Sequence, residues 1–118
     1  LVAAVAEVSV DRRTGRIRVH NYWAAADAGL PVNPDAFAGQ VESGIIWGLS
    51  AALKEGVRIT DGAVQQSNFA DYPILRMSEA PTIHVEVLRG GTSPTMVGEL
   101  GVPGAAPAVA NAVFALTG

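Results

Sequence analysis

From Leu100 to Phe114 the chain carries no charged residue, and directly before that run one carboxylate, Glu99, stands in the stretch Gly98-Glu99-Leu100-Gly101. Residues 105–117 are expected to form a helix, with Pro107 in its first turn and Asn111 as its only strongly polar side chain. A helix that is apolar nearly all round needs cover on most of its sides, and 118 residues enclose one modest core. The chain is therefore expected to be a single domain, residues 1–118, cut from something longer. In isolation it should self-associate or be poorly soluble. A lone acid beside such a run is either a capping group or a group kept for chemistry, because a buried, unpaired carboxylate is costly.

Composition narrows the function classes. With 49% hydrophobic and 16% charged residues the chain is far from the disordered class, and a net charge of −3 argues against a nucleic-acid footprint. No apolar run reaches spanning length without charges or prolines, and the opening Leu1–Val10 lacks the basic flank and cleavage pattern of a signal peptide. There is no cysteine, so thiolate or iron–sulfur ligation within these residues is excluded.

The local patterns spell an α+β fold with a small mixed or antiparallel sheet, β-hairpins and two packed helices. Residues 2–10 and 16–26 are rich in β-branched and aromatic side chains, and Asp11 and Gly15 supply the connection of a hairpin. Asn33 is a good N-cap and Pro34 suits a first helical position, so a helix is expected over 34–54. Phe37, Val41, Ile45, Leu49 and Ala52 form its core stripe, and Gln40, Gly44 and Gly48 form an adjacent strip with little side-chain bulk. Glycine inside a helix costs about 1 kcal/mol relative to alanine, so Gly44 and Gly48 point to close approach of a backbone or a ligand. Asp61-Gly62 predicts a second, short hairpin, residues 70–81 read as irregular, and residues 82–89 alternate as a strand with one solvated face. His20 and His84 are expected to face solvent, and no spacing of His, Asp and Glu suggests a metal site.

Four motifs in this order, "VNPDAFAGQVESGIIWGLSAAL", "QQSNFADYPILRM", "VGELG" and "APAVANAVFALTG", span the chain. Together they resemble the C-terminal portion of the molybdenum-binding large subunit of the xanthine dehydrogenase and aldehyde oxidase family. The branch they resemble is that of bacterial isoquinoline 1-oxidoreductase beta subunits and related aldehyde oxidoreductases.

That resemblance implies a role for particular residues. The glutamate of the family's "GE" motif is a general base that deprotonates the oxygen nucleophile attacking an electrophilic carbon, and it falls on Glu99. The glutamine of the "Q-x-E-G-G" helix lies by the cofactor and matches Gln40, with Gly44 and Gly98 as further cofactor-binding positions. The implied cofactor is molybdopterin, in a cytosine dinucleotide form. The implied partners are the remainder of the large subunit, a small iron–sulfur subunit and a heteroaromatic or aldehyde substrate, in a bacterial cytoplasm or periplasm. Ser43 replaces the first glycine of "EGG" and Leu100 a frequent proline. By residue type alone, Glu99 would be a solvated loop acid or a partner of the following helix end, and Gln40 a surface residue. Trp23, Trp47, Phe69 and Tyr72 read as core or subunit-contact residues, with Phe69 and Tyr72 as outside candidates for a substrate funnel. The isolated 118 residues are expected to be inactive, and the competing class is a stand-alone binding or assembly module that kept the fold and lost the cofactor.

Overall fold

The computed structural model describes all residues, Leu1–Gly118. Strand β1 (Val2–Val10) pairs antiparallel with β2 (Ile17–Asp27). Helix α1 (Pro34–Leu53) follows, then the short hairpin β3 (Ile59–Thr60) and β4 (Ala63–Val64), a single 3-10 turn at Met77–Glu79, strand β5 (Thr82–Leu88) and helix α2 (Ala105–Thr117). β5 lies parallel to β2, giving a mixed sheet of order β1-β2-β5. A parallel pair needs a long crossover, and α1 with the β3–β4 hairpin supplies it. α1 packs on β5 and α2 packs on β1, so both helices rest against the sheet and against each other.

The caps act as their residue types dictate. Asn33 Oδ1 accepts the Ala36 N–H at 3.0 Å, and Pro34 occupies the first helical turn. Asp61 and Gly62 both take positive φ, 50° and 77°, which is the two-residue turn that an Asp-Gly pair permits. The core stripe of α1 is buried at Phe37, Val41, Ile45 and Leu49. Ala52, expected to extend that stripe, is exposed, because the stripe continues at Leu53, four residues after Leu49, which packs against the core.

The alternation expected along β2 breaks. Val19 points inward, but so do Tyr22, Ala24 and Ala26, a switch from odd to even positions. Glu7 and Val8 of β1 face Asn21 and Val19, so β2 carries one extra residue, His20, and the bulge flips the parity of everything after it. His20 and His84 are exposed as expected, yet each has a neighbour. His20 shares a hydrogen bond of 2.7 Å with Ser9, and the His84 ring stacks on Trp23 with centroids 5.5 Å apart.

The core is thin. Seventeen of 118 residues are buried, and the radius of gyration is 16.2 Å, against about 13.5 Å for a compact domain of this length. On α2 only Ala105 and Val109 are buried, leaving Phe114 and Leu116 exposed. Trp23, Trp47 and Phe69 are exposed as well, so none of them is a core residue of this chain. No helix is long and apolar enough to cross a membrane.

Two contacts hold the helices to the rest. At the C-terminal end of α1, Glu79 Oε1 accepts from Lys54 at 2.5 Å and from Arg16 at 3.2 Å, while Glu79 Oε2 accepts the Arg76 N–H. The Lys54 ammonium, first, and the Arg76 N–H hold the Glu79 carboxyl below its ordinary range. Along the middle of α1, Gly44 and Gly48 meet the segment that leads into α2. A Cβ on Gly101 would lie 2.3 Å from the Val41 carbonyl oxygen and 2.8 Å from the Ile45 nitrogen, and one on Gly48 would lie 2.6 Å from the Val102 carbonyl oxygen. Backbone meets backbone there, and no side chain fits between.

Two outcomes are expected. Because Glu79 has a lowered pKa in the folded state, the unfolded chain binds its proton first. Its contribution is therefore complete above the ordinary glutamate range and is lost as pH falls through the lowered value. Thermal unfolding followed against pH should show a Glu79→Gln chain with a shallower acid-side fall than wild type; identical slopes would contradict the assignment. The glycines should split by surroundings: Gly101→Ala should cost about 1–3 kcal/mol by overpacking against backbone. Gly39→Ala, in the same helix with nothing near its Cβ, should stabilise by about 0.5–1 kcal/mol. Denaturant titration measures both.

Candidate active site

Two loops are laced together to build the site. Beyond β2, Asp27 Oδ1 accepts the Gly29 N–H at 2.8 Å and the Gly90 N–H at 3.3 Å, tying the loop after β2 to the loop after β5. Leu30 N–H donates to Ser93 O at 3.0 Å and Thr95 N–H to Ala28 O at 2.8 Å, flanking a bridge between Gly29 and Pro94. Gly29 has φ +78°, and a Cβ there would sit 2.2 Å from the Ser93 carbonyl oxygen, so only glycine lets the loops close this tightly.

From Val97 onward the chain runs as successive tight turns. Leu100 N–H donates to Val97 O, Val102 N–H to Glu99 O at 3.0 Å, and Ala105 N–H to Val102 O. These turns drop Gly101 onto the glycine strip of α1 and leave Gly98 and Glu99 over the helix. There Gln40 Nε2 donates to Gly98 O at 2.7 Å, a bond across 58 positions of sequence. Gln40 and Gly98 line two neighbouring cavities. One, of about 330 Å³, is walled by Ser43, Trp47, Glu99 and Pro103; the other, of about 400 Å³, by Leu30, Asn33, Phe37, Thr95 and Val97.

The structure thus brings Gln40, Gly44, Gly98 and Glu99 to one place. Gly44 is buried, with the Gly101 Cα 3.2 Å from the position of a Cβ, so the close approach that this glycine allows is made by the chain's own backbone. Gly98 is exposed and a Cβ there would meet nothing, so open space adjoins its backbone. Glu99 is exposed on the cavity wall. Neither ion pair of the chain includes it, and α2 begins at Gly104 without any side-chain cap, so Glu99 does not serve as a helix-end partner. A general base acts best out of bulk water. In this chain the exposed side of Glu99 would need cover from groups outside these residues.

Phe69 and Tyr72 do not join the site. They line a separate depression with Val57 and Val64, and the Tyr72 hydroxyl donates to Glu55 at 2.8 Å, which raises its pKa. Trp47, read from the sequence as a core or contact residue, lies on the cavity wall instead. The readable signal was spacing: Gln40, Ser43, Gly44 and Trp47 fall at i, i+3, i+4 and i+7, one face of a helix. Asp27 was also missed, although an Asp-x-Gly at a strand end is the pattern of a side chain that caps its own turn.

Comparison with known proteins identifies the family. The family described as molybdopterin cofactor-binding domain matches residues 1–81. The beta subunit of isoquinoline 1-oxidoreductase from Brevundimonas diminuta is 44% identical over 117 residues, 99% of this chain and 15% of that protein. A nicotinate dehydrogenase subunit of Pseudomonas putida is 39% identical over 98% of this chain and 10% of its own length. Among solved structures, quinoline 2-oxidoreductase from Pseudomonas putida 86 superposes with a TM-score of 0.85 at 29% identity, over 92% of this chain and 14% of that one. The chain thus spans about a seventh or less of the length of these relatives. On these matches the chain belongs to the molybdopterin cofactor-binding domain family, within the xanthine dehydrogenase and aldehyde oxidoreductase enzymes.

Proposed function

We propose that these residues form the Glu99 side of the active site in a molybdenum hydroxylase that oxidises an N-heteroaromatic or aldehyde substrate with water-derived oxygen. The observation that carries the reading is the Gln40–Gly98 hydrogen bond, which sets an amide and a carboxylate side by side over one cavity.

The residues present fit a pterin. Gln40 spends one N–H on Gly98 and keeps its second N–H and its carbonyl for a ring edge. Beside it, Gly98 offers backbone with open space where a side chain would stand. Gln40 and Gly98 are the residues that would hold the cofactor, which we take to be the cytosine dinucleotide form, while Gly44 is taken up by the Gly101 backbone. When bound, the molybdenum cofactor supplies the two-electron acceptor of the oxidation.

The chain's own part is proton transfer and placement. Hydroxylation of a C–H group with oxygen from water yields the C–OH product, two protons and two electrons, and Glu99 would take one of those protons on a carboxylate oxygen as the new carbon–oxygen bond forms. Glu99 is held at that point by the turn whose backbone carbonyl accepts from Val102, and the turn is held by Gln40. Electrons would leave through a small iron–sulfur subunit. The exposed apolar face of α2 and both open sheet edges would pack on the remainder of the large subunit.

In the complete enzyme, Glu99→Gln should keep cofactor content and lower kcat by about 10²- to 10⁴-fold, the range for a positioned general base. In the 118-residue chain the same substitution should change stability by less than about 0.5 kcal/mol, since the carboxylate there is exposed and in no ion pair. Molybdenum analysis with single-turnover kinetics on wild type and variant measures this. A fully metallated variant with a near-normal rate would overturn the assignment.

A further inference from the structure

We propose that Trp47 is the wall on which a planar heteroaromatic substrate stacks while its carbon faces Glu99. This rests on the reading of Glu99 as the base and favours an N-heteroaromatic ring over a short aliphatic aldehyde.

Exposure alone carries nothing, because single large apolar residues are common on surfaces, and Trp47 is one of several here at 72%. Its place is what distinguishes it. Along α1 the side chains that face the 98–103 turns are short or absent at Ser43, Gly44 and Gly48, the Gln40 amide is tied to Gly98, and Trp47 adds the one large apolar side chain. The remaining walls of the 330 Å³ cavity are an amide, a hydroxyl, a carboxylate, a proline, Val102, Gly44 and Gly98, so the indole is the cavity's one aromatic face. The glycine strip fixes the helix at Gly44 and Gly48, on either side of Trp47 in sequence, against the Gly101–Ala105 backbone. The ring therefore stands on a rigid support.

The chemistry of the occupant follows from these walls. A carbon that accepts an oxygen nucleophile beside Glu99 must be electron-poor, as the carbon next to a ring nitrogen is. An electron-poor planar ring lies favourably across an electron-rich indole in an offset stack, and a short aliphatic aldehyde has no face to offer. Trp47 would then orient the ring edge toward Glu99 and Gln40 without touching a proton itself.

The test uses the complete enzyme and its Trp47→Leu and Trp47→Phe variants, with isoquinoline, quinoline and acetaldehyde as probes. Two quantities are read: the dissociation constants of isoquinoline and quinoline for the reduced enzyme, where no turnover occurs, and kcat/KM for all three. Trp47→Leu should weaken equilibrium binding of the two aromatics about tenfold and lower the isoquinoline-to-acetaldehyde ratio of kcat/KM by a similar factor. Trp47→Phe should restore most of both. Unchanged aromatic binding in Trp47→Leu would overturn the proposal. So would a loss of stability or molybdenum in that variant without a change in the selectivity ratio, which would mark Trp47 as a packing residue for another part of the enzyme. A wild type that oxidises aldehydes but neither aromatic overturns it while leaving Glu99 as base. A fully metallated wild type that oxidises none of the probes fails the underlying reading as well.

Discussion

The site depends on a place where two backbones touch. Gly44 and Gly48 on α1 and Gly101 before α2 strip the crossing of side chains except the Ala105 methyl, and the Val41 carbonyl, Ile45 nitrogen and Val102 carbonyl fill the space that a single Cβ would need. Dispersion between close-packed backbone atoms is small per pair, but any spacer would push the 98–104 turns off the helix. With them would go the reach of Gln40 to Gly98, since a hydrogen bond of 2.7 Å does not survive a displacement of an ångström or more. A glycine inside a helix costs stability, and here that cost sets a functional distance.

The hairpins, the two helices and their bounds were legible because local rules decided them. Asn33-Pro34 starts a helix, Asp61-Gly62 turns a hairpin, and alternation at Ile83, Val85 and Val87 marks a strand wherever it ends up. What was not legible depends on partners. Nothing within residues 82–88 says that β5 lies parallel to β2 and not antiparallel to an edge, because that choice is made by the crossover that α1 provides. The bulge at His20 is equally silent, since one extra residue is visible only against the opposite strand. Ala52 failed because both i+3 and i+4 continue a helical stripe, and the structure takes i+4, Leu53.

For the site, the family resemblance pointed to Gln40, Gly98 and Glu99, where residue type alone left a surface amide and a loop acid, and the structure joins Gln40 to the Gly98-Glu99 turn through a bond that no local pattern contains. The glycine strip was read as a place of close approach, without a way to say what approaches. Trp47 is no core residue of this chain, and only the positions of Gly98 and Glu99 show which face it shares. The thin core and exposed α2 face match the short span that the chain makes of its relatives, and they explain why Glu99 has one side open to solvent.

The central claim is that the glycine crossing acts on chemistry through the placement of Glu99. A double-mutant cycle on the single-turnover rate of the fully metallated enzyme tests it, pairing Gly48→Ala, whose new Cβ would fall 2.5 Å from that of Ala105, with Glu99→Gln. If placement is the route, Gly48→Ala slows the wild type and has almost no further effect once Glu99 is glutamine. If the two losses multiply, the crossing and the carboxylate act independently, and the account is wrong.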